Sequence, residues 1–311
     1  MELGLHQRTV EAMERDSREY TQPAKVVVGF DANGESCDAL AFGRLVAEAT
    51  AAELIVAAVY PRRGGESTES RRDFFGRVFA RAAYELGEKS FTRCEMLDSP
   101  ARGLHMLADA EGASLIVVGS THRGRFGEVF PGSVGNQLLS GTPCPVAVVP
   151  RGFVDRPQLA TIGVAYDSGP ESQRALAYGS RLAALLGAEL RLITVGPRYG
   201  PLDLLFESSA EARERLEERM EHGLAQVPSE VRATGSVREG DPAPELAAAS
   251  HDVDLLIVGS RSYGPLRSVL LGSVAADLIR TAECAVLVLP RGFQVPAAVE
   301  GVAASLSAAT T

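Results

Sequence analysis

The sequence predicts an α/β protein of two tandem, doubly wound domains, each with a five-stranded parallel sheet, related by an internal pseudo-two-fold. Three observations predict it. Residues 117 to 134, VVGSTHRGRFGEVFPGSV, return at 257 to 274 as IVGSRSYGPLRSVLLGSV, an offset of 140. CPVAVVPRGF ending at Phe153 returns at the same offset as CAVLVLPRGF ending at Phe293, and VVVGFDANGESCDALAFG from Val26 returns 136 residues later as IGVAYDSGPESQRALAYG from Ile162. Within each copy, short runs of Val, Ile and Leu alternate with longer segments of helical period.

In chain order the apolar runs of the first copy are VVVGF from 26, LIVAAV from 54, a weaker FTRCEM from 91, LIVV from 115 and VAVV from 146. Those of the second are IGVAY from 162, LRLITV from 190, VRATGSV from 231, LLIV from 255 and VLVL from 286. Near-continuous apolarity, rather than alternation, marks strands covered on both faces by crossover helices. Between them, ESQRALAYGSRLAALLG sets Ala175, Leu176, Leu182, Leu185 and Leu186 on one stripe and stops at Gly187, and AEARERLEERMEHGL spaces Leu216, Met220 and Leu224 four apart. Repeated strand–helix–strand order implies parallel sheets with right-handed crossovers. The reading divides the chain into an N-terminal extension (1–22), a first domain (23–153), a linker (154–157) bracketed by Pro150 and Pro157, a second domain (158–294) and a C-terminal tail (295–311).

The 311 residues suit two domains of ordinary size. A net charge of −9 argues against a broad electrostatic grip on nucleic acid or anionic membranes, which rests on Lys and Arg neutralising phosphate. Cys37, Cys94, Cys144 and Cys284 have neither zinc-ligand nor disulfide-framework spacing, and reduced, mostly buried thiols are expected. No signal-like N-terminus and no run of about 20 apolar residues is present, so a cytoplasmic protein without a membrane anchor is expected.

In an open parallel sheet, ligands sit beyond the carboxyl ends of the strands. Asp31 and Asp167 follow the first strand of each copy, and Gly119 and Gly259 follow the fourth. Gly132-Ser133 and Gly272-Ser273 open the next helix, where free amides and the helix dipole favour an anion. A carboxylate facing such a loop suits a nucleotide, the acid on sugar hydroxyls and the amides on phosphates. The same residues are equally those of a tight turn and a helix cap.

From about Lys25 to Phe293 the sequence resembles tandem members of the universal stress protein family, whose Rossmann-like fold is related to that of adenine nucleotide alpha hydrolases. The family signature is Gly, two residues, Gly, nine residues, Gly-Ser or Gly-Thr. Here the spacing is kept twice, with His122 and Ser262 at the middle glycine. VREGDPAPEL resembles the family's loop after strand three, with Gly240-Asp241-Pro242; in the first copy, EMLDSPARGL, Leu97 takes the place of that glycine. The resemblance implies ATP or another adenine nucleotide as ligand, with Mg as its companion ion. Implied contacts are Asp31, Val59, Gly119, His122, Gly132 and Ser133 in the first domain. In the second they are Asp167, Val195, Gly240, Gly259, Ser262, Gly272 and Ser273. It also implies pairing of the two last strands, within the chain or in a homodimer.

Three classes of function compete. A stress-response protein signalling by nucleotide occupancy ranks first, and a partner-binding scaffold of the same fold second. An enzyme ranks last: no Gly-x-x-x-x-Gly-Lys-Ser/Thr loop, no Gly-x-Gly-x-x-Gly after the first strand, and no metal or nucleophile constellation is found, so no catalytic residue is expected.

Overall fold

The computed structural model describes residues 24–60, 67–87, 90–120, 133–139, 141–155, 157–198, 209–260 and 272–294. The terminal extensions lie outside them. The first half runs β1 (Lys25–Gly29), α1 (Gly34–Thr50), β2 (Glu53–Tyr60), α2 (Thr68–Leu86), β3 (Thr92–Leu97), α3 (Pro100–Glu111), β4 (Leu115–Gly119), α4 (Ser133–Leu139) and β5 (Val146–Val149). The second half repeats the order with β6 (Thr161–Ala165), α5 (Pro170–Leu186), β7 (Glu189–Gly196), α6 (Ser209–Leu224), β8 (Ala233–Glu239), α7 (Pro242–Ala249), β9 (Leu255–Gly259), α8 (Ser273–Thr281) and β10 (Ala285–Leu289).

The strands form one ten-stranded sheet in the order β3-β2-β1-β4-β5-β10-β9-β6-β7-β8. Within each half all pairs are parallel, as near-continuous apolar runs require; β4, β5, β9 and β10 are apolar and buried at almost every position. The halves meet where β5 and β10 pair antiparallel, Val146 opposite Val288, Ala147 opposite Leu287 and Val148 opposite Val286. Ala147 and Leu287 are 140 apart, the repeat offset, so the pseudo-two-fold passes between equivalent residues. One apolar core lies on each face of the sheet, and each runs through both halves.

Helix α1 sits close on β1 because Gly43 lacks a side chain: a Cβ there would fall 2.3 Å from Val28 Cγ2, and its repeat partner Gly179 stands 2.8 Å from Val164 Cγ2 by the same construction. Helix α5 ends, as its sequence predicts, at Gly187 in the left-handed conformation (φ 66°). The repeated Pro-Arg-Gly-Phe turns the chain back after β5 and β10, so that Phe153 meets Phe42 edge-on at 5.4 Å and Phe293 meets Tyr178 at 6.3 Å. In the first half the turn is also held by Asp38, only 2% exposed, which accepts hydrogen bonds from the Gly152 and Val154 amides at 3.1 and 2.8 Å.

Cys37, Cys144 and Cys284 are buried and Cys94 is half-buried; none is in a disulfide. Burial pushes the Cys144 and Cys284 thiols up to about 12, which keeps them protonated and inert at neutral pH.

Replacing Asp38 by Ala deprives the Gly152 and Val154 amides of a charged acceptor. The expected cost is about 2 kcal/mol, seen as a lower urea midpoint with an unchanged slope.

Candidate functional site

Each half leaves β1 or β6 through a strained turn. Ala32 (φ 66°) and Ser168 (φ 63°), 136 residues apart, both hold the left-handed conformation without being glycine. The turn folds the first-strand aspartate back toward the following helix. In the second half, Asp167 Oδ1 accepts from the Gly169 amide at 2.8 Å and the Ser172 hydroxyl at 2.7 Å, while the Asp167 amide donates to Ser172 Oγ at 3.2 Å. In the first half, Asp31 is exposed, and Asn33 engages both its oxygens: the backbone N–H donates to Oδ1 at 3.2 Å and the side-chain Nδ2 to Oδ2 at 3.0 Å. Asn33 also caps α1, its Oδ1 accepting from the Ser36 amide at 2.7 Å. The residue at that place in the second half is Gly169, which brings only its backbone.

The two halves differ again at the end of their second strands. Val59 and Val195 are equivalent, but Tyr60 in β2 stands where β7 has Gly196. Tyr60 packs edge-on against Phe74 at 5.1 Å and lies 6.2 Å from Phe75. At Gly196 a Cβ would fall 2.2 Å from Leu216, so α6 comes down close onto β7.

The glycines that end the fourth strands have a packing reason of their own. A Cβ on Gly119 would lie 2.1 Å from the Glu35 carbonyl oxygen, and one on Gly259 would lie 2.8 Å from Glu171 Cβ. Each glycine lets the first turn of the helix that follows the first strand of its half, α1 or α5, rest against the end of the fourth strand.

At the carboxyl ends of the second-half strands lies a cavity of about 380 Å3. Asp167, Val195, Gly259, Gly272 and Ser273 all line it. Ile193, Leu246 and Val258 supply apolar wall, and Tyr166, 2% exposed, closes its floor. Gly272 is the N-cap of α8 and provides no side-chain cap, which leaves the leading amides of that helix to other acceptors. Gly240 is not in the lining; it follows β8 with φ 154° and donates its amide to the Gly196 carbonyl at 2.9 Å.

Among the first-half candidates, Asp31, Val59 and Gly119 come to the corresponding strand ends, and Ser133 opens α4. His122, Gly132 and Ser262 lie outside the described residues. One reading is corrected. Leu97 does not stand opposite Gly240: Leu97 pairs with Tyr60 and Glu239 with Gly196, and Pro100 and Pro242 each begin a helix, so Asp98 takes the place of Gly240.

The sequence reading missed Glu171, Ser172 and Arg219, which also line the cavity. Glu171 and Ser172 had a signal, since Glu35-Ser36 repeats them; Glu171 Oε2 lies 2.9 Å from Arg174 Nη1, an ion-pair contact without hydrogen-bond alignment. Arg219 had none. It reaches the wall from the middle of α6, half-buried, with no ion-pair partner among the described residues. Also among the described residues, no group of three His, Cys, Asp or Glu side chains could hold a metal, and no helix is long and apolar enough to cross a membrane.

Doubly wound parallel halves with acid, glycine and helix start gathered at their strand ends define a tandem α/β protein of the Rossmann-like class. The universal stress protein family matches residues 24–150 and again 159–290, and the chain belongs to that family. Universal stress protein Rv2319c of Mycobacterium tuberculosis H37Rv is 32% identical over 207 residues, 62% of this chain and 69% of the relative. Rv2005c of the same strain is 31% identical over 189 residues, 59% of this chain and 64% of that one. The crystal structure of a universal stress protein from Archaeoglobus fulgidus DSM 4304 shares the fold, with a TM-score of 0.65 at 20% identity over 86% of this chain and 98% of the other.

Substituting Ala at Gly119 drives a methyl into main chain and is expected to cost roughly 3 kcal/mol, the upper end for overpacking. Gly259→Ala approaches Glu171 less closely, 2.8 Å from Cβ and 3.2 Å from the carbonyl carbon, and costs less. Thermal unfolding of the two variants should therefore show the larger fall in Tm at Gly119.

Proposed function

We propose that this is a cytoplasmic stress-response protein that binds an adenine nucleotide, ATP by preference, in its second half and signals through occupancy rather than turnover. The observation that carries the reading is the cavity. It joins an apolar slot between Val195, Ile193 and Leu246 to a carboxylate at Asp167 and the uncapped start of α8. A flat base suits the slot, ribose hydroxyls suit the carboxylate, and phosphate suits the helix start. Its volume falls within the range of small-molecule pockets, roughly 300–1,000 Å3. Arg219 sets a cation against the acids Asp167 and Glu171, which would otherwise repel an anion. Magnesium fits as a companion carried on the phosphates, where it would neutralise their charge; Asp167 and Glu171 alone are too few to cage it.

The second half is favoured over the first by one substitution: Gly196 replaces the Tyr60 ring.

The test is calorimetric titration of ATP, with and without magnesium, preceded by mass spectrometry of whatever nucleotide denatured protein releases. Wild type should bind in the micromolar range. Gly272→Glu, which puts a carboxylate at the helix start, should abolish binding, and Asp167→Asn should weaken it roughly ten- to a hundredfold. Asp31→Asn should leave it unchanged. No released nucleotide and no heat under either condition would sink this reading and leave the fold as a scaffold for partners.

A further inference from the structure

A second concavity lies far from the strand ends, along the free edge of the sheet in the first half. Strand β3 pairs with β2 and, among the described residues, with nothing on its other side. Between that edge and α2 runs an open groove of about 800 Å3. Its floor is Phe75 and Phe79, and its helix wall is thinned by Gly76 and Ala80, both exposed.

The groove is basic in an acidic protein. Arg71, Arg72 and Arg93 line it against a single carboxylate, Glu95. Several arginines elsewhere are paired: Arg81 with Glu85, Arg151 with Glu35, Arg191 with Glu189, and Arg213 with Glu217 and Glu239. The three groove arginines have no carboxylate partner among the described residues. Arg71 donates to the Thr68 hydroxyl at 3.4 Å, and Arg93 lies over the rings of Phe79 and Phe91 at 5.7 and 5.5 Å from their centroids. Those contacts hold the guanidiniums in place without neutralising them.

We propose that this groove receives an extended acidic peptide segment of a partner protein, added to β3 as a further strand. Three features select that occupant. Among the described residues the outer edge of β3 has no neighbouring strand, and its backbone donors and acceptors are of the kind an extended chain satisfies. The six residues of β3 accommodate a segment of about the same length at about 3.3 Å each. Every second side chain of an added strand stands on the groove side, so carboxylates at alternate positions meet the arginines, and Gly76 and Ala80 leave room for them under α2. The site is independent of the nucleotide cavity, because it uses neither the residues nor the sheet end that form it.

The probe is a short fluorescein-labelled peptide of alternating Glu and Val, with a Lys–Val peptide as control, followed by fluorescence anisotropy on the full chain. The Glu–Val peptide should bind and slow amide exchange across 92–97, and the control should not. Arg72→Glu combined with Arg93→Glu should weaken binding at least tenfold. Gly76→Phe should do the same by filling the groove. Its backbone has open space at the Cβ position, so the fold is kept, as an unchanged melting curve would verify. No binding of the Glu–Val peptide, equal binding of both peptides, wild-type affinity in the charge-reversed variant, or binding of polyphosphate or single-stranded RNA through these arginines in place of the peptide would each overturn the proposal.

Discussion

The architecture hangs on the antiparallel ladder between Val146–Val149 and Ala285–Leu289. Unpaired, each segment would be an apolar edge; paired, the strands are among the most buried of the molecule. The ladder also fixes where the chain leaves the sheet. Pro-Arg-Gly-Phe follows at once on both sides, and its Phe locks onto the helix after the first strand of the same half. That helix begins at the loop carrying Asp31 or Asp167 and rests on Gly119 or Gly259. The seam, the turn, the crossover helix and the loop at the first strand's end therefore form one mechanical chain, written twice.

The strands, their parallel order and the duplication could be read directly, because buried parallel strands advertise themselves as apolar runs and because the same letters recur. The weak third strand was found, but its register could not be read. Matching Leu97 to Gly240 follows the letters, whereas the ladder matches Asp98 to it; β3 and β8 differ in length by a residue, and only the pairing with β2 and β7 shows where it falls.

The strand-end positions gathered into one cavity are local to repeated motifs, which is why sequence could name them. Arg219 belongs to a helix with no repeated motif and reaches the cavity only because Gly196 lets α6 approach β7. Nor do letters alone tell why a glycine is there. Gly119 invites a phosphate reading, yet the Glu35 carbonyl already excludes any side chain at that place. The differences between the copies were likewise in plain view as Asn33 against Gly169 and Tyr60 against Gly196. Their meaning depends on knowing that one amide lies on a carboxylate and one ring on an aromatic cluster.

Duplication within one polypeptide also changes what governs assembly. Two separate chains joined by so short a ladder would part on dilution, in proportion to their abundance. Here both partners are tethered, so each meets the other at a fixed local concentration. Closure of the seam is a unimolecular step, and any change transmitted across it is independent of how many copies the cell holds.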